Sequence, residues 1–208
     1  MIQRVWRERA TTIPVESEGI VLEGAWQEGV ARAAVVAPPH PEYGGSMDNP
    51  VVNELAYAFH QEGLASIRFN WRGVGGSQGR ATGDLSAGEV DYRAAVEHLA
   101  ATHPFPITGA GYSFGAAVAI RVALHDARIR YLVLVAPPVR MIESLPLEKL
   151  GRPIRVIVGS EDPFAPIEPI LEYFDLPDTR VDVIPGADHF FAATGLAELH
   201  DLARAAVG

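Results

Sequence analysis

Short apolar runs alternate with helix-patterned stretches along almost all of this 208-residue chain. That alternation constrains the fold more than any single motif. Ala31 to Ala37 and Tyr131 to Val135 are apolar at nearly every position. A strand without a polar side has both faces buried, as happens when helices cover a parallel sheet on both sides. Leu64 to Asn70, Ile107 to Tyr112, Arg155 to Val158 and Arg180 to Ile184 read as further strands. Helices are expected over Asn53 to Gln61, Ser86 to Thr102, Phe114 to His125 and Leu196 to Ala206. In the second of these, Ser86 and Glu89 have the spacing of a capping box, and Val90, Ala94, Val96 and Leu99 are candidate buried positions. Two strands come first, Arg4 to Glu16 and Ile20 to Trp26, joined by Glu18-Gly19 with no helix between them. The expected fold class is therefore α/β: a doubly wound, mostly parallel sheet with an antiparallel start.

The length fits one domain at a prior of roughly 150 residues each, and no Pro/Gly/Ser-rich linker divides it, so residues 1–208 are read as a single domain. The 17 basic and 26 acidic residues leave a net charge of -9, which argues against nucleic acid or an anionic membrane as a partner. With no cysteine, disulfides, thiolate metal sites and a cysteine nucleophile are excluded together. Lys149 is the one lysine, in a polar stretch, so amine chemistry has a single, solvated candidate. No apolar run approaches the roughly 18 residues of a spanning helix. Arg4, Arg7, Glu8 and Arg9 stand where a secretory leader needs apolar residues, so a cytoplasmic location is expected.

Gly111-Tyr112-Ser113-Phe114-Gly115 matches G-x-S-x-G. From eight serines and 20 glycines, chance supplies fewer than about 0.1 such matches, and this one also lies between an expected strand and an expected helix. The motif needs that context, because the chain must turn sharply and leave the serine strained at the apex. Its hydroxyl then sits near a helix N-terminus, where N–H groups favour developing negative charge.

A serine nucleophile needs a base and the base needs an orienter. Downstream of Ser113, His125 lies late in the following helix and His200 lies inside the last helix. His189, in Pro185-Gly186-Ala187-Asp188-His189-Phe190-Phe191, directly follows a strand and is the candidate base. The orienting carboxylate is placed at Asp162, after the strand Arg155 to Val158, with Glu161 as its main competitor. Asp188 adjoins the histidine, too near in sequence to approach the ring from the needed direction. The oxyanion hole needs two N–H donors. Phe114 follows the nucleophile and supplies one. The other belongs to the loop Pro38-Pro39-His40-Pro41-Glu42-Tyr43-Gly44-Gly45, where prolines carry no N–H and His40 is the first donor available, with Glu42 as the fallback.

Aromatic residues near these loops, Tyr43, Trp71, Tyr112, Phe164 and Phe190, are the substrate-binding candidates. Asn70-Trp71-Arg72-Gly73-Val74-Gly75-Gly76-Ser77 lacks the spacing of a dinucleotide fingerprint; it reads as a loop shaping the pocket rim, with Arg72 in an ion-pair or hydrogen-bond network. No phosphate-binding loop or H-E-x-x-H occurs, so neither a cofactor nor a metal is expected.

Taken together, these residues resemble the α/β-hydrolase superfamily, and more narrowly its small, lidless, dienelactone-hydrolase-like carboxylesterases. The matching pieces are His40-Pro41-x-x-Gly44-Gly45-x-Met47, Phe69 to Gly75, Gly111 to Gly115, Gly159-x-x-Asp162-x-x-x-Pro166 and Gly186 to Phe191. The resemblance implies the same triad of Ser113, His189 and Asp162, and a His40 backbone donor. Two departures stand out: dienelactone hydrolases use a cysteine, which this chain lacks, and the narrower family often has histidine where Pro38 stands. Relatives with a cap insert it after the strand following the nucleophile helix. Here that gap, residues 137–152, holds a turn and a short helix over Arg140 to Ser144, so no cap domain and an open site are expected. The implied activity is hydrolysis of small carboxylic esters through an acyl-enzyme, with thioester or peptide cleavage, or binding without catalysis, as alternatives. The expected partner is a small-molecule ester, and the expected state a monomer or homodimer.

Overall fold

In the computed structural model, residues 6–30, 32–103 and 106–208 are described. Among the described residues eight strands form one sheet: β1 (Glu8–Val15), β2 (Ile20–Gln27), β3 (Ala33–Ala37), β4 (Ala65–Phe69), β5 (Ile107–Tyr112), β6 (Ile129–Val135), β7 (Ile154–Gly159) and β8 (Thr179–Ile184). Their spatial order is β1-β2-β4-β3-β5-β6-β7-β8. β1 pairs antiparallel with β2, and β2 antiparallel with β4; every later pair is parallel. The antiparallel start follows from the short turn between β1 and β2, which leaves no room for a crossover. All five residues of β3 and all six of β5 are buried, as strands covered on both faces must be. Residues 4, 5 and 31, expected in strands, lie outside the described residues.

The helices are α1 (Pro50–Gln61), α2 (Leu85–Thr102), α3 (Phe114–Ala123), α4 (Ile167–Tyr173) and α5 (Leu196–Val207). α1 packs on α5, and α2 packs on α3. Nine of the ten α3 residues are buried, and its many alanines allow it to lie close to the sheet. The one partly exposed member, Arg121, pairs with Glu89 of α2.

Four local expectations are corrected. α1 begins at Pro50 rather than Asn53, because Asn49 caps it by accepting from the Val51 N–H at 2.9 Å, and proline suits the first helical turn. α2 is capped by Asp84, whose carboxylate takes the Ser86 N–H; Ser86 is inside the helix and Glu89 is engaged by Arg121, so no capping box forms. α4 was not anticipated; it is two turns long, and Pro166 and Pro169 obscure its pattern. The segment after β6 forms 3-10 turns at Val139–Met141 and Leu147–Lys149 instead of a helix at Arg140 to Ser144. It builds no lid. Among the described residues, no helix is long and apolar enough to cross a membrane.

Candidate active site

The loops leaving β3, β5, β7 and β8 meet at one edge of the sheet, where the strands' C-terminal ends open a crevice. Ser113 occupies the turn from β5 into α3 with φ 54° and ψ -118°, a strained conformation for a residue with a side chain. The turn is held from both sides: the Ser113 N–H donates to the Val135 carbonyl at 2.9 Å, and the Ser113 carbonyl accepts from Ala116 N–H at 2.9 Å. Glycine is required at both ends of the motif. A Cβ on Gly111 would stand 2.4 Å from the Gly115 carbonyl, and one on Gly115 would stand 2.5 Å from the carbonyl oxygens of Ala37 and Pro38. The second contact seats the loop after β3 against the first turn of α3.

The Ser113 hydroxyl makes no capping bond to its own helix. Its Oγ instead lies 3.0 Å from His189 Nε2. His189 Nδ1 lies 2.7 Å from Asp162 Oδ2. A carboxylate only accepts, so Nδ1 carries the ring proton of the neutral imidazole and Nε2 is left to accept from the serine. The other carboxylate oxygen, Oδ1, accepts from the N–H groups of Phe164 and Ala165, each at 2.8 Å, which locks the Asp162 rotamer. All three residues are buried to within 9% exposure. Glu161 is exposed and takes no part; its N–H donates to the Ala187 carbonyl. Asp188 accepts from the N–H of Phe190, inside its own turn. His125 is exposed, and His200 bonds Glu54 and Gln61 away from this edge.

Among the described residues, the backbone N–H groups of Phe114 and His40 have no acceptor. The His40 ring is held between Tyr43 at 4.6 Å and Phe114 at 5.1 Å, and its Nδ1 accepts from the Glu42 N–H at 3.3 Å. Burial pushes its pKa down, against the opposing pull of Glu42.

The five aromatic candidates divide into two groups. Tyr43, Phe164 and Phe190 are 87%, 57% and 63% exposed, and the rings of Phe164 and Phe190 sit 4.9 and 5.5 Å from that of His189. Trp71 and Tyr112 lie in the interior and turn their polar atoms to backbone carbonyls. The Tyr112 hydroxyl donates to the His189 carbonyl at 2.7 Å, and burial followed by the charges of Asp162 and Asp188 raises its pKa, keeping it a donor. No local signal marks that contact, since its partners are 77 residues apart. Arg72 joins the expected network: its guanidinium bonds the buried Asp91 at 2.7 Å and Glu18 at 2.6 Å. Cavities of about 530 and 560 Å³ lie elsewhere, at the opposite ends of β5 and β6 and beside β1.

An imidazole bridging a strained serine and a locked carboxylate, at the C-terminal edge of a mostly parallel sheet, is the arrangement of the α/β serine hydrolases. A family model described as Hydrolase_4, serine aminopeptidase S33, matches residues 44–159, and the chain belongs to this family. The match includes Ser113 and stops before Asp162 and His189. The fold of an α/β serine hydrolase homologue from Coxiella burnetii is similar, with a TM-score of 0.86 and 30% identity over 98% of this chain and 99% of that one. A serine hydrolase without a lid from Xanthomonas campestris has a TM-score of 0.82 and 28% identity, covering 98% and 95%. An uncharacterized protein of Rickettsia prowazekii is 32% identical over 82% of this chain and 77% of its own length.

Proposed function

We propose that this hydrolase is a carboxylesterase for small esters, with Ser113 as nucleophile, His189 as general base and Asp162 as its orienter. The observation that carries the reading is the continuous hydrogen-bond path from Ser113 Oγ through both nitrogens of His189 to Asp162, at 3.0 and 2.7 Å. His189 takes the hydroxyl proton as Oγ bonds to the ester carbonyl carbon. Negative charge gathers on the former carbonyl oxygen, which the N–H groups of Phe114 and His40 stabilise. The tetrahedral intermediate collapses, the C–O bond to the alcohol breaks, and His189 gives that alcohol its proton. Water then repeats the sequence on the acyl-enzyme: His189 takes a proton from water, the carboxylic acid leaves, and the proton returns to Ser113. Asp162 stays a carboxylate throughout and steadies the imidazolium. The absence of a lid favours small soluble esters over long acyl chains, which need a deep apolar tunnel.

The test is Ser113→Ala with p-nitrophenyl acetate and unchanged circular dichroism. Turnover is expected to vanish; turnover at the wild-type rate overturns the assignment. A second reading, cleavage of peptide amides, takes its support from the serine-aminopeptidase description of the matched family. A panel of esters, thioesters and aminoacyl amides compared by kcat/KM separates the two. A fluorophosphonate probe that fails to label Ser113 would point instead to a binding protein.

A further inference from the structure

We propose that Trp71 is the positioning residue of the oxyanion hole: its indole N–H sets the direction of the His40 N–H. The inference rests on the ester-hydrolase reading above and assigns a role within it. Trp71 follows β4 and is 1% exposed, so it presents no face to a substrate. Its Nε1–H lies 3.1 Å from the Pro38 carbonyl oxygen and 3.0 Å from that of Pro39, and it donates to both.

The Pro39 carbonyl and the His40 N–H belong to one peptide unit. No cis peptide occurs among the described residues. In a trans unit the two groups point to opposite sides of the chain. Holding the Pro39 oxygen on the indole therefore turns the His40 N–H away from it and leaves that N–H free of any described acceptor. Surrounding contacts locate the held peptide. The Cβ position of Gly115 is 2.5 Å from the Pro38 oxygen. The Phe114 ring touches the indole at 5.4 Å and the His40 imidazole at 5.1 Å. The loop thus crosses the first turn of α3, beside Ser113.

Residues 38, 39 and 41 are prolines, so His40 carries the one N–H of residues 38–41. The loop's own N–H groups, those of Tyr43 and Gly45, hold the His40 carbonyl at 3.2 and 3.0 Å, and the carbonyls of Pro38 and Pro39 before it are held by the indole. The indole is itself fixed: Phe69 meets it edge-on at 4.8 Å, and the next N–H along the chain, that of Arg72, bonds Asp91 Oδ2 at 2.9 Å. A phenylalanine would keep an aromatic ring at this position and lose the donor.

The decisive variant is Trp71→Phe. With p-nitrophenyl acetate, kcat is expected to fall roughly 10- to 100-fold while KM stays within about two-fold, since a misdirected N–H weakens the transition state and spares the ground state. Phenylboronic acid, which forms a tetrahedral adduct on the nucleophile, is expected to bind more weakly by the same factor. Benzothienylalanine at position 71, which keeps the indole outline and replaces N–H by sulfur, is expected to show the same losses, and it decides the matter if the phenylalanine variant folds poorly. A kcat within two-fold of wild type, a loss confined to KM, or a fall in kcat without weaker boronate binding overturns the proposal. Ser113→Ala run beside it separates the levels. Surviving turnover there removes the underlying reading. An inactive Ser113→Ala with a wild-type-like Trp71 variant removes this inference alone.

Discussion

Tyr112, the residue before Ser113, donates its hydroxyl to the backbone carbonyl of His189 at 2.7 Å. One strand end thereby carries Ser113 and also ties down the loop that bears His189. Tyr112→Phe removes a buried hydrogen bond and leaves a carbonyl unpaired, a cost of about 1–3 kcal/mol. The melting temperature is expected to drop by several degrees in calorimetry. We expect kcat to fall several-fold with KM little changed; an unaltered kcat would show that the His189 loop needs no such tie.

The two neighbouring carboxylates after β7 separate by mutation. Asp162→Asn keeps the shape and upsets the tautomer of His189, so kcat should fall by about 10⁴. Glu161→Gln, on an exposed side chain, should leave kcat within about two-fold of wild type. Steady-state kinetics on both variants checks the assignment; equal losses would contradict it.

Gly115→Ala places a methyl group 2.5 Å from two backbone oxygens, Ala37 O and Pro38 O, neither of which swings aside like a flexible side chain. Overpacking of this kind costs about 1–3 kcal/mol. A lowered urea midpoint at unchanged slope is expected, together with a larger loss of kcat than the stability loss explains, because the β3 loop is pushed off α3.

Phe164 and Phe190 rest on the His189 ring and are 57% and 63% exposed, so their removal leaves the core intact. Phe164→Ala and Phe190→Ala should raise KM for aryl esters roughly 3- to 10-fold, from lost ring contact, while the melting temperature holds. A KM unchanged in both would place substrate elsewhere along the crevice.

The α2 cap carries a pH signature. The Ser86 N–H and then the Ser86 hydroxyl hold the Asp84 carboxyl below the usual carboxylate range. A pKa depressed on folding adds stability above the unfolded-state value, and that stability is lost as pH falls toward the folded-state value. The window therefore lies below about pH 4. Asp84→Asn keeps a good cap without the charge. Thermal unfolding across pH 2.5–7 should show the two proteins converging at the acid end and the wild type ahead above it.

The site's legibility in the chain followed the range of its interactions. Ser113 and His189 carry local marks, one flanked by Gly111 and Gly115, the other set after a strand by Pro185-Gly186. Asp162 and Glu161 follow the same strand, and along the chain Asp162 stands out only by the spacing Gly159-x-x-Asp162; in the fold the two N–H bonds from Phe164 and Ala165 set it apart, and these exist only once the turn has formed. Trp71 and Tyr112 read as pocket residues because they adjoin the loops, but burial is settled by elements far off in sequence. The sheet was legible because whole strands such as β3 and β5 are apolar throughout. Helix starts were harder, since Asn49 and Asp84 each cap through one backbone N–H that other nearby residues could equally have taken.

The path from Ser113 to His189 spans 76 residues and crosses four strands' worth of folding, β5 to β8. Reactivity is consequently a property of the assembled sheet and of no segment within it. An opened or half-made chain carries only an ordinary alcohol at position 113. Loss of catalysis and loss of tertiary structure should then trace one denaturation curve, so that the protein disarms itself as it comes apart.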